Sequence, residues 1–298
     1  MRGVTEKTSR IDQAMNGPDA MSAVELDDLD FERIRRLVYN QCGIHLTEGK
    51  KELVKARLGK RIRGGHFKSF RDYYQFVIQD SSGQELTHLL DSISTNFTFF
   101  FREQKHFDYL VSELVPRWLT RSPKGSHKIR IWSAGCSSGE EPYSIAISLM
   151  EALGNLSDRD VTILATDIST KVLQIAEQGI YHQDRVQSLS PSLLKKYFLR
   201  GDREWRDHVK VKNEVRRLIH FKRLNLMEPF SFTEPFDCIF CRNVMIYFDK
   251  EVQADLISRF DRCLNAGGAL FIGHSESLTG IRHPFRYVRP AIYEKGRG

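Results

Sequence analysis

The sequence predicts an α/β protein in which an all-α N-terminal domain is followed by a domain built on a mostly parallel β-sheet. Apolar residues recur at helical spacing from Asp27 to about Ser94. From Ile129 onward, short β-rich apolar runs alternate with helical segments, which is typical of a parallel sheet. The composition, 41% hydrophobic and 28% charged over 298 residues, is that of a globular protein.

Residues 1–22 are expected to be a disordered extension, because they offer few apolar groups to offset the entropy of ordering. They lack the continuous apolar stretch of a secretory signal, and no run in the sequence approaches the roughly 20 apolar residues that span a bilayer. The five cysteines are scattered and odd in number, which argues against a disulfide framework. We therefore expect free thiols, a cytoplasmic protein and no insertion into the membrane.

Residues 23–98 are expected to form the all-α domain. The first helix has an apolar stripe that begins at Phe31, and Gly43 stands where this helix would end. Ser69 can cap a third helix that buries several aromatic residues, and a fourth covers about Gln84 to Ile93.

The second helix of this domain, at residues 50–63, carries much of the positive charge. Thr47 can cap it, and Gly64 and Gly65 end it. The net charge of +7 predicts attraction to something acidic. Two interpretations remain open, a solvated face that keeps the protein soluble and a surface that docks on an acidic partner. The docking candidates are Lys50, Lys51, Lys55, Arg57 and Arg61.

Residues 99–125 are expected to form a linker helix, covering 104–121, that ends in a Ser-Pro-Lys-Gly-Ser stretch. Residues 126–298 form the sheet domain, which would end in two short strands paired as an antiparallel edge hairpin. The strands are expected at 129–134, 161–166, 219–224, 236–240, 269–272, 285–288 and 291–293.

The first chemical signal is a strand, a turn of small residues and a helix start at 131–143, IWSAGCSSGEEPY. Small residues let a ligand approach the backbone, and Glu140 and Glu141 are favoured beside the positive end of the helix dipole. Those carboxylates would repel the pyrophosphate that dinucleotide sites place there, and would attract an ammonium group. S-adenosylmethionine, which carries an amino group and a sulfonium, therefore fits better than NAD, although the turn alone is a weak motif.

The second signal is Asp167, which closes the next strand, where a carboxylate can accept both hydroxyls of a ribose. An ordinary cap for the helix that begins at Ile168 is the alternative interpretation. The third is strand 236–240, which runs into polar residues at the sheet edge where open α/β sheets bind ligands. Cys238 and Cys241 form a CxxC but would face opposite sides of this strand, so no metal site is expected.

The fourth signal, STNFTFFFRE at 94–103, would alone indicate core packing with a snorkelling arginine. Several motifs taken together closely resemble the chemotaxis receptor glutamate methyltransferases, the CheR family. In chain order they are TNFTFFFRE, AGCSSGEEPYS, Asp167, Asn225-Leu226 and CRNVMIYF. The segment GIHLTEGKKELVKARLGKRIR at 43–63 looks like the basic helix of that family's N-terminal domain. The resemblance covers roughly residues 25 to 295.

The resemblance implies a Rossmann-like, S-adenosylmethionine-dependent methyltransferase domain with a small antiparallel β-subdomain inserted at about 194–216. Some relatives use this subdomain to bind a tether at the receptor's C-terminus, but residues 201–208 lack the extra glycines of that pattern. Arg102 and Tyr247 would flank the transferred methyl. The residues that would line the cofactor pocket are Asn96, Thr98, Arg102, Glu140, Asp167, Asn225, Leu226, Arg242 and Asn243.

The partner implied by the resemblance is the cytoplasmic signalling domain of chemoreceptors, and we expect a monomer recruited to receptor arrays. A glutamate side chain is already ionised at neutral pH, so methylation needs alignment and exclusion of water, with no general base. A nucleic-acid methyltransferase would explain the basic charge, but amino-group methyltransferases commonly resemble Asn/Asp-Pro-Pro-Tyr where this chain has CRNVMIYF. A non-catalytic receptor-binding module is the second alternative.

Overall fold

The structure is a computed structural model that describes residues 24–94, 96–121, 128–154, 156 and 160–296. The extension at 1–22 and the Ser-Pro-Lys-Gly-Ser stretch lie outside the described residues, so the disorder and the linker remain predictions. Within the described residues, no helix is both long enough and apolar enough to cross a bilayer.

The N-terminal part is helical, as predicted. Its helices are α1 (Asp28–Cys42), α2 (Lys51–Gly64), α3 (Phe70–Gln79) and α4 (Gln84–Ile93). Helix α1 ends at Gly43, whose φ of 70° is readily adopted only by glycine, and the Ser69 side chain caps α3. One hydrophobic core, which includes Ile34, Leu58 and Tyr73, joins the helices.

The predicted cap of the basic helix is wrong. Thr47 precedes a short 3-10 turn, Glu48–Lys50, and makes no capping hydrogen bond with its side chain. Because this turn comes first, α2 begins at Lys51, and Thr47 lies one turn too early to cap it.

The helix predicted at 104–121 is present but is not a regular α-helix throughout. It comprises α5 (Lys105–Tyr109), a π-helical turn (Leu110–Leu114) and α6 (Val115–Arg121). Pro116 explains the interruption, because it lacks an amide hydrogen and its ring crowds the carbonyl four residues earlier, inside the π turn.

The C-terminal part is built on a seven-stranded sheet with the order β6-β2-β1-β7-β8-β10-β9. The first five of these are parallel, and β10 and β9 form the antiparallel edge, as predicted. The strands are β1 (Ile129–Ala134), β2 (Val161–Asp167), β6 (Ile219–Arg223), β7 (Phe236–Cys241), β8 (Leu264–Ile272), β9 (Arg286–Arg289) and β10 (Ile292–Glu294), and the helices that accompany them are α7 (Glu140–Leu153), α8 (Thr170–Gln178) and α11 (Lys250–Cys263).

A separate three-stranded antiparallel sheet has the order β3-β5-β4. It begins at Ile180, outside the span of 194–216 expected for the small subdomain, because the strand at 180–182 pairs with the strand at 208–211, which comes later in the chain. Its elements are β3 (Ile180–His182), α9 (Pro191–Tyr197), β4 (Phe198–Arg200), β5 (His208–Val211) and the following α10 (Asn213–Arg216).

Hydrophobic cores cover both faces of the large sheet. Cys238 packs in one core and Cys241 in the other, so the two thiols face opposite sides of β7, as predicted. All five cysteines are free and buried.

Candidate active site

One cavity, with about 1240 Å³ of unfilled space that is partly open to solvent, lies where the two parts of the chain meet. The sheet contributes Asp167 and Arg242 from the carboxyl edge, and the helical part contributes Cys42 and Ile44 from the end of α1. The predicted site residues that line this cavity are Asn96, Thr98, Arg102, Asp167, Asn225, Leu226, Arg242, Asn243 and Tyr247.

Glu140 is the predicted cofactor residue that is absent from the lining. Its buried carboxylate accepts a hydrogen bond from Ser138 Oγ at 2.7 Å and pairs with Arg185 of the small subdomain. The next residue, Glu141, lines the cavity in its place. Successive residues of an α-helix point roughly 100° apart, so only one of two adjacent glutamates can face the ligand.

Glu141 is held by two neighbours. Its Oε1 accepts from Ser133 Oγ at 2.6 Å, and its Oε2 pairs with Arg242 at 3.0 Å. Burial raises the pKa of the Glu141 carboxyl, and Arg242 acts in the opposite direction.

Asp167 is buried at the end of β2, and each of its carboxylate oxygens accepts one backbone amide. Oδ2 accepts from Ser137 N at 2.8 Å and Oδ1 from Ser169 N at 2.9 Å. The Ile168 amide also acts on this carboxyl, and because a carboxylate has about four lone pairs, the group can still accept a ribose hydroxyl. The side chain that caps α8 is that of Ser169. Asp167 is therefore not the cap of this helix, which was the alternative interpretation of this residue. Burial raises the pKa of Asp167, and the backbone amides counteract the rise.

The turn after β1 lies so close to the loop after β7 that it admits only glycine at one position. Gly135 has a φ of 83°, and a Cβ there would lie 2.4 Å from Cγ2 of Val244. Ser137 and Asn243, both in the lining, adopt positive φ of 50° and 58° although they are not glycines. Such conformations cost energy and concentrate at functional sites.

The segment 96–102 is tied to the sheet domain at several points. The Asn96 carbonyl accepts from Ser137 Oγ at 3.1 Å, and the Phe101 amide donates to Ser144 Oγ at 2.9 Å. The Arg102 carbonyl accepts from the Arg242 guanidinium. These bonds hold the segment along one side of the cavity.

The Arg102 side chain lies between two exposed aromatic rings. Its guanidinium donates to the Phe97 carbonyl at 2.9 Å and lies 5.8 Å and 5.9 Å from the ring centres of Phe97 and Phe99. Phe97 is 72% exposed. Arg102 is therefore oriented at the solvent side of the cavity while part of its guanidinium remains available to an anion.

Arg242 is buried and pairs with two carboxylates, Glu103 at 3.2 Å and Glu141 at 3.0 Å. Beside it lies His106, which is fully buried; among the described residues neither of its ring nitrogens has a hydrogen-bond partner. Burial first, and then the charge of Arg242, lowers the pKa of His106 to about 3, so its ring is neutral.

Glu103, His106 and His274 are near enough to one another to share a metal ion, with ligand atoms within 4.8 Å. However, the guanidinium of Arg242 lies 3.2 Å from the Glu103 oxygen that would bind the ion. This positive charge opposes a divalent cation. The cluster therefore gives no reason for a metal, and the expected absence of one stays a prediction.

Two hydrogen bonds join the helical part to the walls of the cavity. The His45 amide donates to the Tyr247 carbonyl at 2.8 Å, and Asn225 Nδ2 donates to the Gln41 carbonyl at 2.6 Å. Asn225 Nδ2 also contacts Glu228 Oε1 at 3.2 Å, so both of its amide hydrogens are used. Only its oxygen can therefore bind a ligand.

Sequence reasoning missed Glu276. Its carboxylate accepts backbone amides from Asn243 and Ile246, at 2.9 and 3.2 Å, in the loop that carries Tyr247. A signal was available, because Glu276 follows β8 at the same carboxyl edge of the sheet where Asp167 and Arg242 lie.

The docking candidates of α2 have two kinds of environment. Lys51 and Lys55 form exposed ion pairs with acids of the N-terminal part, and Lys50 is exposed and also borders the cavity. Arg57 donates to the Ser94 carbonyl, and Arg61 binds both carboxylate oxygens of Glu85. The last two attach α2 to α4 and the segment after it. The exposed cations Lys60 and Arg63, also on α2, were not among the candidates.

Two family models match the chain in the order that the motifs predicted. The one described as CheR methyltransferase, all-alpha domain matches residues 29–94, and the one described as CheR methyltransferase, SAM binding domain matches residues 96–293. The chain belongs to the CheR methyltransferase family.

Curated relatives agree with this assignment. The chemotaxis protein methyltransferase of Borreliella burgdorferi is 44% identical over 270 residues, which are 89% of this chain and 94% of that protein. Chemotaxis protein methyltransferase 2 of Pseudomonas aeruginosa is 42% identical over 265 residues, 89% and 92% of the two chains. Among solved structures, magnesium protoporphyrin IX methyltransferase from Synechocystis aligns with 79% of this chain and 94% of its own at 15% identity, with a TM-score of 0.35, too low to support an argument.

As a CheR-family member, the protein is an S-adenosylmethionine-dependent methyltransferase, which confirms the resemblance and the α/β fold predicted from the motifs. The cavity lies between the two family domains. The all-α domain contributes lining residues between Cys42 and Ser94, and the SAM binding domain contributes lining residues between Asn96 and Phe248.

Proposed function

We propose that this enzyme transfers the methyl group of S-adenosylmethionine to glutamate side chains of bacterial chemoreceptors, leaving a glutamyl methyl ester and S-adenosylhomocysteine. One observation carries the proposal. Asp167, Arg102 and Tyr247, from three distant segments, line one cavity of a CheR-family methyltransferase. Named relatives of the chain are chemotaxis protein methyltransferases, which supports a receptor as the substrate.

The cavity fits a cationic nucleoside donor. Asp167 keeps acceptor capacity for a ribose hydroxyl. Glu141, paired with Arg242 and only 11% exposed, places a second carboxylate in the lining near the positively charged end. Gly135 and the turn after it let the ligand approach the backbone. When bound, S-adenosylmethionine supplies a methyl group activated by its sulfonium. The further lining residues proposed for it are Asn96, Thr98, Arg102, Asn225, Leu226, Arg242 and Asn243.

The acceptor carboxylate needs orientation, because it is already ionised at neutral pH. Arg102, at the solvent side, would hold one carboxylate oxygen, and the Tyr247 hydroxyl would donate a hydrogen bond that aligns the other. An oxygen–carbon bond forms, the sulfur–carbon bond breaks, and its electron pair stays on sulfur. No proton moves in this step, so the chain needs no general base.

Helix α2 and the turn before it would dock on an acidic surface of the receptor. The candidates that remain are the exposed Lys50 and the half-buried Lys51 and Lys55, whereas Arg57 and Arg61 stabilise the helical part itself. We propose that the enzyme acts as a cytoplasmic monomer recruited to receptor arrays, with no nucleic-acid substrate and no metal.

The test uses the enzyme, radiolabelled S-adenosylmethionine and receptor-containing membranes. Label should enter the receptor band and be released as methanol by alkali, because carboxyl esters hydrolyse under those conditions. Receptors with glutamine at the methylated positions should take up no label. Incorporation that resists alkali, or that occurs only in nucleic acid, would contradict the proposal.

A further inference from the structure

The loop that follows β7 contains five residues of the cavity lining, Arg242, Asn243, Val244, Tyr247 and Phe248. Its backbone is irregular, since Asn243 has a φ of 58° and only the three residues Met245–Tyr247 form a 3-10 turn. A conformation of this kind persists only where neighbouring groups hold it in place.

Glu276, some thirty residues later in the chain, provides such a group. Its Oε2 accepts the amide of Asn243 at 2.9 Å and that of Gly273 at 2.5 Å, and its Oε1 accepts the amide of Ile246 at 3.2 Å. One carboxylate therefore binds the start of the loop and the residue that precedes Tyr247.

The two segments are also in direct contact. A Cβ at Gly273 would lie 2.3 Å from Nδ2 and 2.8 Å from N of Asn243, so a larger residue would displace the loop. Glu276 itself is not part of the cavity lining. Its influence on a ligand must therefore pass through the loop.

We propose that Glu276 is a positioning residue for methyl transfer, whose carboxylate sets the backbone of residues 243–247 and with it the place of the Tyr247 hydroxyl. This inference rests on the proposed function, in which Tyr247 aligns the acceptor. The positioning role requires that both carboxylate oxygens of Glu276 act as hydrogen-bond acceptors, because each oxygen accepts a backbone amide of the loop. A glutamine would present a donor NH₂ to a backbone N–H at one end, so one of the two loop bonds would be lost.

The experiment measures receptor methyl-ester formation by four proteins, the wild type, Glu276→Gln, Tyr247→Phe and the double variant. Glu276→Gln should lower kcat by up to about tenfold, no more than loss of the Tyr247 hydroxyl itself, since a misplacement near 1 Å can have that effect. In the Tyr247→Phe background the same change should lower kcat less than about twofold, because the hydroxyl that Glu276 positions is already gone. Glu214→Gln, an exposed change of the same chemistry, is the matched control and should leave kcat unchanged.

Two further measurements separate the possible outcomes. Denaturant unfolding should show one cooperative transition for Glu276→Gln, with the same m-value as wild type, which excludes misfolding. If that variant does not fold, Glu276→Asp keeps both acceptor oxygens and should show a smaller loss with the same dependence on Tyr247. Equal kcat losses in the two backgrounds, or an unchanged kcat, would overturn the positioning role. A wild type that esterifies no receptor would instead overturn the proposed function, a result that the four-protein comparison distinguishes.

Discussion

The cavity and helix α2 both contain clusters of charged residues, but the two clusters are held in different ways. In the cavity, Asp167 and Arg242 are buried, and their partners are backbone amides or carboxylates whose side chains are only 11% and 12% exposed. On α2, Lys51 and Lys55 pair with acids whose side chains are 96% and 76% exposed. Water and salt compete for the second kind of pair and hardly at all for the first.

This difference separates the expected effects of mutation. Changes in the cavity should alter folding, cofactor affinity or turnover, whereas changes to Lys51 and Lys55, whose acidic partners are exposed, should alter only the encounter with a charged partner. Arg57 and Arg61 are on α2 but bind carbonyl oxygens and the buried Glu85. Both arginines therefore stabilise the helical part through their partners, although the Arg61 side chain is itself 42% exposed.

The largest effect is expected for Arg242→Ala. The change leaves Glu103 and Glu141 without their common buried partner, and losses of this kind reduce the free energy of unfolding by about 3–5 kcal/mol. Denaturant unfolding of the cofactor-free enzyme measures it. Arg262→Ala, on an exposed arginine, should stay within about 0.5 kcal/mol. A similar small loss for Arg242→Ala would remove the distinction between the two clusters.

The next effect in size is on cofactor affinity. Asp167→Asn should weaken S-adenosylmethionine binding by about tenfold to a hundredfold, because the ribose would lose a charged acceptor. Calorimetry measures this, with the exposed Asp207→Asn as the control. Unchanged affinity would remove the ribose role of Asp167.

Cofactor affinity should also depend on pH through the same residue. Burial raises the pKa of Asp167, so as the pH falls the wild type should begin to lose affinity at a higher pH than an exposed aspartate would cause. The ionised carboxylate accepts a hydrogen bond from the ribose, and protonation of Asp167 weakens this interaction. The Asp167→Asn variant, measured in parallel, should not show this pH-dependent loss of S-adenosylmethionine affinity. Identical pH profiles for the two proteins would contradict a role for Asp167 protonation.

A smaller effect, on kcat, is expected for the two residues that orient the acceptor carboxylate. With saturating cofactor and receptor, Tyr247→Phe and Arg102→Ala should each lower kcat by about tenfold, since they orient the attacking carboxylate. The Tyr247 variant should bind S-adenosylmethionine as the wild type does. Full rates for both variants would withdraw these two assignments.

The smallest effect concerns α2. Reversing Lys51 and Lys55 to Glu should raise the receptor KM a few-fold at low salt, while the free energy of unfolding changes by less than about 1 kcal/mol. Reversing Lys171 and Lys222, both exposed elsewhere, is the control with equal charge. Arg57→Glu, in contrast, should destabilise the protein. Equal methylation by the Lys51 and Lys55 variant would return α2 to the role of a solvated surface.

The order and type of the elements followed from the sequence because their causes are local. The alternation of apolar residues placed β1 at Ile129–Ala134, and helical spacing placed α4 at Gln84–Ile93. The same pattern located Asp167 at the carboxyl edge of the sheet, where parallel strands collect ligand-binding residues. The family motifs added the identity of the cofactor.

The partners of individual charged groups were decided only by tertiary structure. Which of Glu140 and Glu141 faces the cavity depends on the rotation of α7, and Arg185, which binds Glu140, comes from another subdomain. Asn225 is 184 positions from the carbonyl of Gln41 that it binds. Hydrogen bonds over such distances depend on how whole elements pack, whereas spacing and capping act within a few residues. The sequence could place Glu276 after β8, but only packing could reveal the loop that it binds and the structural role of the arginines of α2.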